Sequence, residues 1–310
     1  MSERVKILLY YKYVPIDHPK KLVSLQKALC KDLEIQGRIL ISTEGINGTV
    51  AGSEESIDAY MLETQKDPHF SDIEWKVSWA DEQVFPRLRV VVRDEIVTLG
   101  VKKSGQDVSL NNKAAYIEPE ELRALYEKNA DFIIIDARNG YEATVGKFAN
   151  AVTPAIENFR DFPLFVEKEL LEHTEKEVIT YCTGGVRCEK ASAYLRERGF
   201  KKVRQLHGGI HEYGIKAGGK YFEGEMFVFD KRLHIPINVV NPTVISTCQY
   251  CKNPVTRYVD CVVASCDSLF ICCEDCQSLH KGACSNGCEA KILEIPPGDH
   301  SKSHKTINNY

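Results

Sequence analysis

The sequence predicts a multidomain chain that mixes α/β and α+β folds and ends in a cysteine-rich segment. Three observations carry this. Apolar strand-like runs and helical patterns follow one another in the order β-α-β-β-α-β over the first 80 residues. Apolar runs near residues 133 and 178 read as strands buried on both faces, and residues 203–206 supply a third strand. Nine of the twelve cysteines fall between Cys248 and Cys288. At 310 residues, 43% apolar and 27% charged, the chain can bury proper cores and has the length of two domains.

The first strand spans residues 5–11, and a helix over residues 19–33 follows from Leu22, Leu25, Leu29 and Leu33. Residues 38–42 and 49–52 are short strands flanking Glu44-Gly45-Ile46-Asn47-Gly48, whose Asn-Gly step predicts the tight reversal of a hairpin. Ser53 with Glu54 and Glu55 starts a second helix that carries Ile57, Tyr60 and Met61 on one face, and residues 73–79 alternate as a strand. Together these make a ferredoxin-like βαββαβ domain over residues 1–100, with a further strand at 88–92. The polar stretch 101–116, with Lys102, Lys103, Gly105, Asn111 and Asn112, is the expected linker.

A second domain, 117–220, opens on a helix beginning with Pro119, Glu120 and Glu121. Its strands run through residues 132–135, 178–181 and 203–206, and a helix from Cys188 is stopped by Gly199. This describes a parallel α/β sheet with a ligand site beyond the carboxyl ends of its strands. Residues 221–310 form the cysteine-rich segment, ending in a polar tail from Pro296 that is expected to be mobile.

A net charge of -4 excludes a protein that coats nucleic acid indiscriminately, while leaving room for a local basic surface that grips a folded RNA. No secretory leader is visible, no apolar stretch reaches the ~20 residues of a bilayer span, and no nucleotide-cofactor motif is present. The expected location is cytoplasmic. There, a cysteine cluster binds metal or does redox work in preference to forming lasting disulfides.

The loop Cys182-Thr183-Gly184-Gly185-Val186-Arg187 joins a buried strand to a helix. Its amides can converge on the Cys182 sulfur, the helix N-terminus adds positive potential, and Arg187 adds a permanent cation. The pair Gly184 and Gly185 lets the backbone curl around a large anion. The pattern favours Cys182 as a thiolate nucleophile or sulfur carrier over the ordinary buried cysteine. Cys188, in the first turn of the helix, is a packing residue or a resolving thiol.

Asp136-Ala137-Arg138, Tyr141-Glu142, Gly146, Ala151-Val152-Thr153-Pro154, the Cys182 to Arg187 loop, and Leu206-His207-Gly208-Gly209-Ile210 together resemble a rhodanese domain. In that family the cysteine carries a persulfide. A six-residue loop from cysteine to arginine, as here, suits sulfur carriage, whereas the related phosphatases have one residue more. With Glu44-Gly45-Ile46-Asn47-Gly48-Thr49 before it and the cysteine-rich segment after it, nearly the whole chain is similar to the oxygen-dependent tRNA uridine hydroxylases. That resemblance implies conversion of the wobble uridine of certain tRNAs to 5-hydroxyuridine with molecular oxygen as substrate. Cys182 is then the expected catalytic residue: its thiolate adds to C6 of the uracil so that C5 attacks an oxidised sulfur or peroxide species, or a Cys182 persulfide or hydroperoxide delivers oxygen directly. The rival reading is a sulfurtransferase that moves sulfane sulfur through a Cys182 persulfide, with a sulfur-carrier protein as partner. A third is a persulfide-sensing or zinc-binding scaffold.

For tRNA contact, Lys201, Lys202 and Arg204, with Arg196 and Arg198, make a basic run. Lys20, Lys21, Lys27, Lys31, Arg87, Arg89 and Arg93 are further candidates, each with a solvated or helix-capping alternative. An anticodon loop, whose bases are already splayed, is the cheapest substrate for a buried nucleophile. Tyr181, Tyr213 and Tyr221 are weighed as stacking residues, with packing favoured. His207 and His211 read as structural, and Asp136 as a residue that orients Arg138 or the loop amides. Cys30 is expected to pack on the first helix. Cys248-x2-Cys251 and Cys273-x2-Cys276 are paired knuckles fit for a structural zinc. Cys261, Cys266, Cys272, Cys284, Cys288 and His280 leave donors for a second ion whose partition the spacing does not fix.

Overall fold

In the computed structural model of the chain, residues 4–101, 108–266 and 268–293 are described. The linker residues Lys102, Lys103 and Gly105 and the tail from Pro296 lie outside them. The first domain is built from β1 (Val5–Tyr13), α1 (Pro19–Asp32), β2 (Gln36–Ser42), β3 (Gly45–Gly52), α2 (Glu54–Gln65), β4 (Trp75–Ala80) and β5 (Leu88–Val92). Its sheet has the order β4-β1-β3-β2-β5; the first four strands are antiparallel, and β5 joins β2 in parallel. Leu8, Tyr10, Ile39, Ile41, Ile46 and Val50 on one sheet face pack with Leu22, Cys30, Ile57 and Tyr60 of the two helices. This is the expected ferredoxin-like layer pair.

Two local expectations shift. The α1 stripe buries Leu22, Gln26 and Cys30, whereas Leu25 is exposed. Cys30 packs as expected. The hairpin reverses at Thr43 and Glu44, and Asn47-Gly48 sits inside β3, opposite Tyr11 and Tyr10. Gly48 is required there because the Tyr10 ring occupies the space of a side chain. The glycine this turn demands is Gly45, the first residue of β3, whose φ of +147° and approach to the Lys12 carbonyl bar any other residue. Ser53 caps α2 by accepting the Ser56 amide at 3.1 Å.

The second sheet runs β6-β10-β9-β7, all parallel. Its elements are β6 (Ala115–Ile117), α3 (Pro119–Glu127), β7 (Ile133–Asp136), α4 (Gly140–Val145), β8 (Gly146–Phe148), α5 (Phe162–Phe165), β9 (Glu177–Tyr181), α6 (Val186–Glu197), β10 (Lys202–Leu206) and α7 (Gly209–Ala217). β8 is not part of that sheet. Strand β6 begins inside the expected linker and forms the edge of the sheet. It is short, its first two residues are exposed, and its pairing to β10 is what defines it.

By compactness the chain divides into residues 1–140 with 150–219, and residues 141–149 with 220–310. In the second unit β8 pairs with β11 (Phe222–Gly224), β12 (Met226–Phe227) with β13 (His234–Ile235), and β14 (Tyr258–Asp260) with β15 (Leu269–Ile271). The helices α8 (Glu274–Leu279) and α9 (Asn286–Leu293) follow. Of the nine fully buried members of the core around β14 and β15, five are cysteines: Cys248, Cys261, Cys272, Cys276 and Cys288. So few carbon side chains are a weak core for a segment of under 50 residues. Among the described residues no helix is long and apolar enough to cross a membrane.

Candidate active site

Cys182 follows the carboxyl end of β9, and Val186 opens α6, so the four residues from Cys182 to Gly185 turn around the thiol. Gly185 adopts φ +101° and aims its amide at Cys182 Sγ, at 3.1 Å. Burial by itself would raise the thiol's pKa. The Cys188 thiol donating to the sulfur, the Arg187 charge, and the Arg187 and Gly185 amides outweigh it and bring Cys182 down to about 6. Cys188 pays the reverse cost: burial, then its bond to Cys182 and that sulfur's charge, push it up. It is therefore a neutral donor at the site. Arg187 is buried and reaches the Thr183 hydroxyl at 3.5 Å.

Behind the loop, α7 acts as a brace. Ile210 N donates to the Cys182 carbonyl at 3.0 Å and His211 N to the Thr183 carbonyl at 3.1 Å. Gly209, at φ +67°, lies so close to those carbonyls that a side chain there would collide with them. Asp136 grips Arg138 through Nε at 2.9 Å and Nη2 at 2.6 Å and accepts the Tyr181 hydroxyl at 2.7 Å. All three are fully buried, so Asp136 orients Arg138 as expected, and Tyr181 belongs to the core with Tyr213. His207 lies between Glu118 at 2.8 Å and Glu74 at 3.1 Å, and His211 meets the Val77 carbonyl at 3.2 Å; both histidines are structural.

The roof of the site comes from the first domain, and sequence reasoning missed it. The face of β1 turned away from its own helices carries Leu9, Tyr11 and Tyr13, and Lys76 pairs with Leu9 from β4. A side chain on Gly184 would stand 2.8 Å from Leu9 Cδ2 and 3.8 Å from Lys76 Cδ, and one on Gly185 would stand 2.9 Å from the Tyr11 hydroxyl. Tyr13 donates to the Val186 carbonyl at 3.2 Å. Lys76 is 3% exposed; desolvation lowers its pKa, against the attraction of Glu74, Glu212, Cys182 and Glu189. A signal was present in the strand itself: an apolar run with almost no alternation is covered on both faces.

Helix α6 is buried from Arg187 to Leu195, yet it carries Glu189, Lys190 and Ser192. Each has partners. Lys190 donates to Glu44 at 2.8 Å, Glu95 at 2.6 Å and the Val97 carbonyl at 2.9 Å. Glu189 takes Tyr11 at 3.3 Å, Tyr116 and Lys113, and Ser192 accepts the Ala114 amide. Glu44 of the Glu-Gly-Ile-Asn-Gly motif is thus an anchor that holds the first domain over the cysteine loop.

The basic run is not brought to this mouth. Lys202 pairs with Glu177 at the amino end of β9, five residues from Cys182, which is about 16 Å at strand rise. Lys201 is bound to Glu175, Arg204 to Glu121 and Glu177, Arg198 to Glu167, and Arg196 to the Lys113 carbonyl. In the second unit the sulfurs of Cys248, Cys251, Cys273 and Cys276 lie within 4.8 Å of one another, and so do those of Cys261, Cys266, Cys284 and Cys288. Cys272 and His280 belong to neither group.

Three family descriptions match in succession: a UPF0176 acylphosphatase like domain over residues 5–96, a rhodanese-like domain over 118–216, and a rhodanase C-terminal region over 223–289. The chain is 41% identical over 305 residues to a tRNA uridine(34) hydroxylase of Listeria monocytogenes, covering 97% of this chain and 94% of that one. It is 41% identical over 305 residues to the protein of that name from Cytophaga hutchinsonii, covering 98% and 96%. For that of Bacillus licheniformis the identity is 37% over 311 residues, covering 99% and 95%.

Proposed function

The chain belongs to the family of tRNA uridine(34) hydroxylases, and from that membership and the Cys182 site we propose that it converts the wobble uridine of tRNA to 5-hydroxyuridine with molecular oxygen. The observation that carries the reading is a thiol at the start of a six-residue loop, held near pKa 6 by three convergent donors and a cation. In the proposed sequence the Cys182 thiolate adds to C6 of the uracil, which makes C5 electron-rich. C5 takes one oxygen atom derived from O2, the second atom leaves as water using two electrons and two protons from a cellular reductant, and loss of the C5 proton with expulsion of the thiolate restores the ring. Thr183, Gly184, Gly185 and Val186 shape the cradle, and Arg187 keeps the sulfur charged. Cys188 supplies a hydrogen bond and is placed to act as a resolving thiol if Cys182 is oxidised. The substrate segment is the anticodon loop and the setting cytoplasmic.

We further infer that both four-cysteine groups hold structural zinc. Four sulfurs bound at about 2.3 Å to a tetrahedral ion stand about 3.8 Å apart. Cys251 and Cys273 are 3.8 Å apart, Cys266 and Cys284 3.4 Å, and Cys284 and Cys288 3.7 Å. In chain order the pairs alternate, first group, second, first, second, so each ion would cross-link the two stretches that flank a pair of the other. The ions supply cohesion to a core rich in thiols, and no chemical step depends on them.

The test is nucleoside analysis of tRNA incubated with the protein, oxygen and a reductant. The wild-type chain should form 5-hydroxyuridine and Cys182→Ala should form none. Release of thiocyanate from thiosulfate and cyanide by the wild type, with unmodified tRNA, would favour the sulfurtransferase reading and a carrier protein as partner.

A further inference from the structure

One sheet face of the first domain joins the cysteine loop to a group of arginines. In register across all five strands stand Lys76 on β4, Leu9 on β1, Thr49 on β3, Arg38 on β2 and Arg89 on β5. Residues level with one another in a sheet share a face, so the row that roofs Gly184 at Leu9 and Lys76 continues to Arg38 and Arg89. At about 4.8 Å per strand, Arg38 lies about 10 Å from Leu9 and Arg89 about 14 Å. Arg93 extends the alternation of β5, its amide bonded to the Ile41 carbonyl at 2.8 Å, and so falls on the same side.

Arg38 is placed against its own electrostatics. Arg38 is partly buried, forms no ion pair among the described residues, and has its Nε buried with no acceptor. Burial, with Arg89 and then Arg93 beside it, pulls its pKa down to about 10. A guanidinium withdrawn from water and set among like charges is costly until an anion fills the space. Its planar fork of donors fits phosphate oxygens. The contrast with the basic run is direct: there Arg198, Lys201 and Arg204 are matched with carboxylates, whereas Arg38 forms no ion pair among the described residues and lies on the face that covers the nucleophile.

We propose that Arg38, Arg89 and Arg93 form a clamp for the phosphodiester backbone of tRNA, holding the nucleotides next to the uridine that meets Cys182. The proposal rests on the tRNA reading above, and names the surface that seats the strand. Inorganic phosphate and sulfate share the chemistry, and they should act as competitors.

The test uses the full chain and an unmodified transcript of a substrate tRNA, with affinity measured across a salt series. Each phosphate contact contributes a slope of about 0.7 in log K against log salt for single-stranded RNA, so R38Q/R89Q/R93Q should weaken binding at least tenfold and flatten the slope by about 2. R93Q, at an exposed residue, should keep the fold and lose about 0.7 of slope. R38K/R89K should retain more of the slope than the glutamine variants, while K201Q/K202Q should bind as the wild type does. Wild-type affinity and slope in R93Q and in the folded triple variant would overturn the clamp alone. A wild-type chain that binds no tRNA at any salt would overturn the clamp together with the tRNA reading.

Discussion

At the scale of single residues, the chemistry turns on what surrounds the Cys182 sulfur. Its pKa near 6 means the thiolate is about nine-tenths formed at pH 7 and is lost as pH falls through the pKa. The acid limb of kcat/KM should therefore fall tenfold per pH unit below about 6. Replacing Arg187 by methionine removes a cause of the depression. A rise of two units would cut the rate about tenfold at pH 7 and move the acid limb with it, which a pH-rate profile reads directly. Lys76→Met should act in the same direction but more weakly; a one-unit rise lowers the rate about fivefold at pH 6 and about twofold at pH 7. A Lys76→Met profile that overlays the wild type would remove the lysine from the site. The cysteine loop was legible because one glycine-rich segment holds its nucleophile, amides and cation. The roof was not, because Leu9, Tyr11, Tyr13 and Lys76 are brought there by tertiary packing and are far from the loop in sequence.

At the scale of elements, the clamp between α6 and the first domain is the most exposed to test. Lys190 is 5% exposed and its carboxylates Glu44 and Glu95 are 12% and 7% exposed. Lys190→Met leaves two buried carboxylates without their cation and should cost about 3 kcal/mol in urea unfolding. Burial opposes ionisation of Glu95, but Lys190 and the Leu99 and Gly100 amides hold its carboxyl below the ordinary range. Its contribution is thus full above the unfolded carboxylate pKa and fades as pH falls through the folded value. Ser53→Ala, which removes the cap of α2, should cost about 1 kcal/mol and leave the pH-rate profile unchanged. Strands β5, β7 and β9 could be read from runs rich in Ile and Val, and α2 from its cap. The hairpin turn could not be placed, since Asn-Gly signals a reversal only when no ring requires the glycine in the strand. β6 was equally hidden, being three residues whose pairing to β10 is non-local.

At the scale of the whole molecule, the proposed function divides the thiols between two tasks: Cys182, held as a thiolate by its surroundings, and eight that lie in two groups compact enough to hold a metal ion each. Full-length protein purified without chelator should carry two zinc ions, and a strong chelator should expose residues 220–293 to protease before the rest of the chain. A metal-free protein with the same protease pattern would remove the zinc from the account. Composition had already set the cysteine-rich segment apart, but the pairing of its thiols needed three dimensions, since the six donors left over by the spacing allow several partitions.

The most direct measurement of the central claim is single-turnover reaction of purified chain with unmodified substrate tRNA under 18O2, followed by nucleoside mass spectrometry. The account predicts 5-hydroxyuridine at the wobble position carrying one 18O with the wild-type chain and none with Cys182→Ala. Equal labelled product from the Cys182→Ala chain would contradict it.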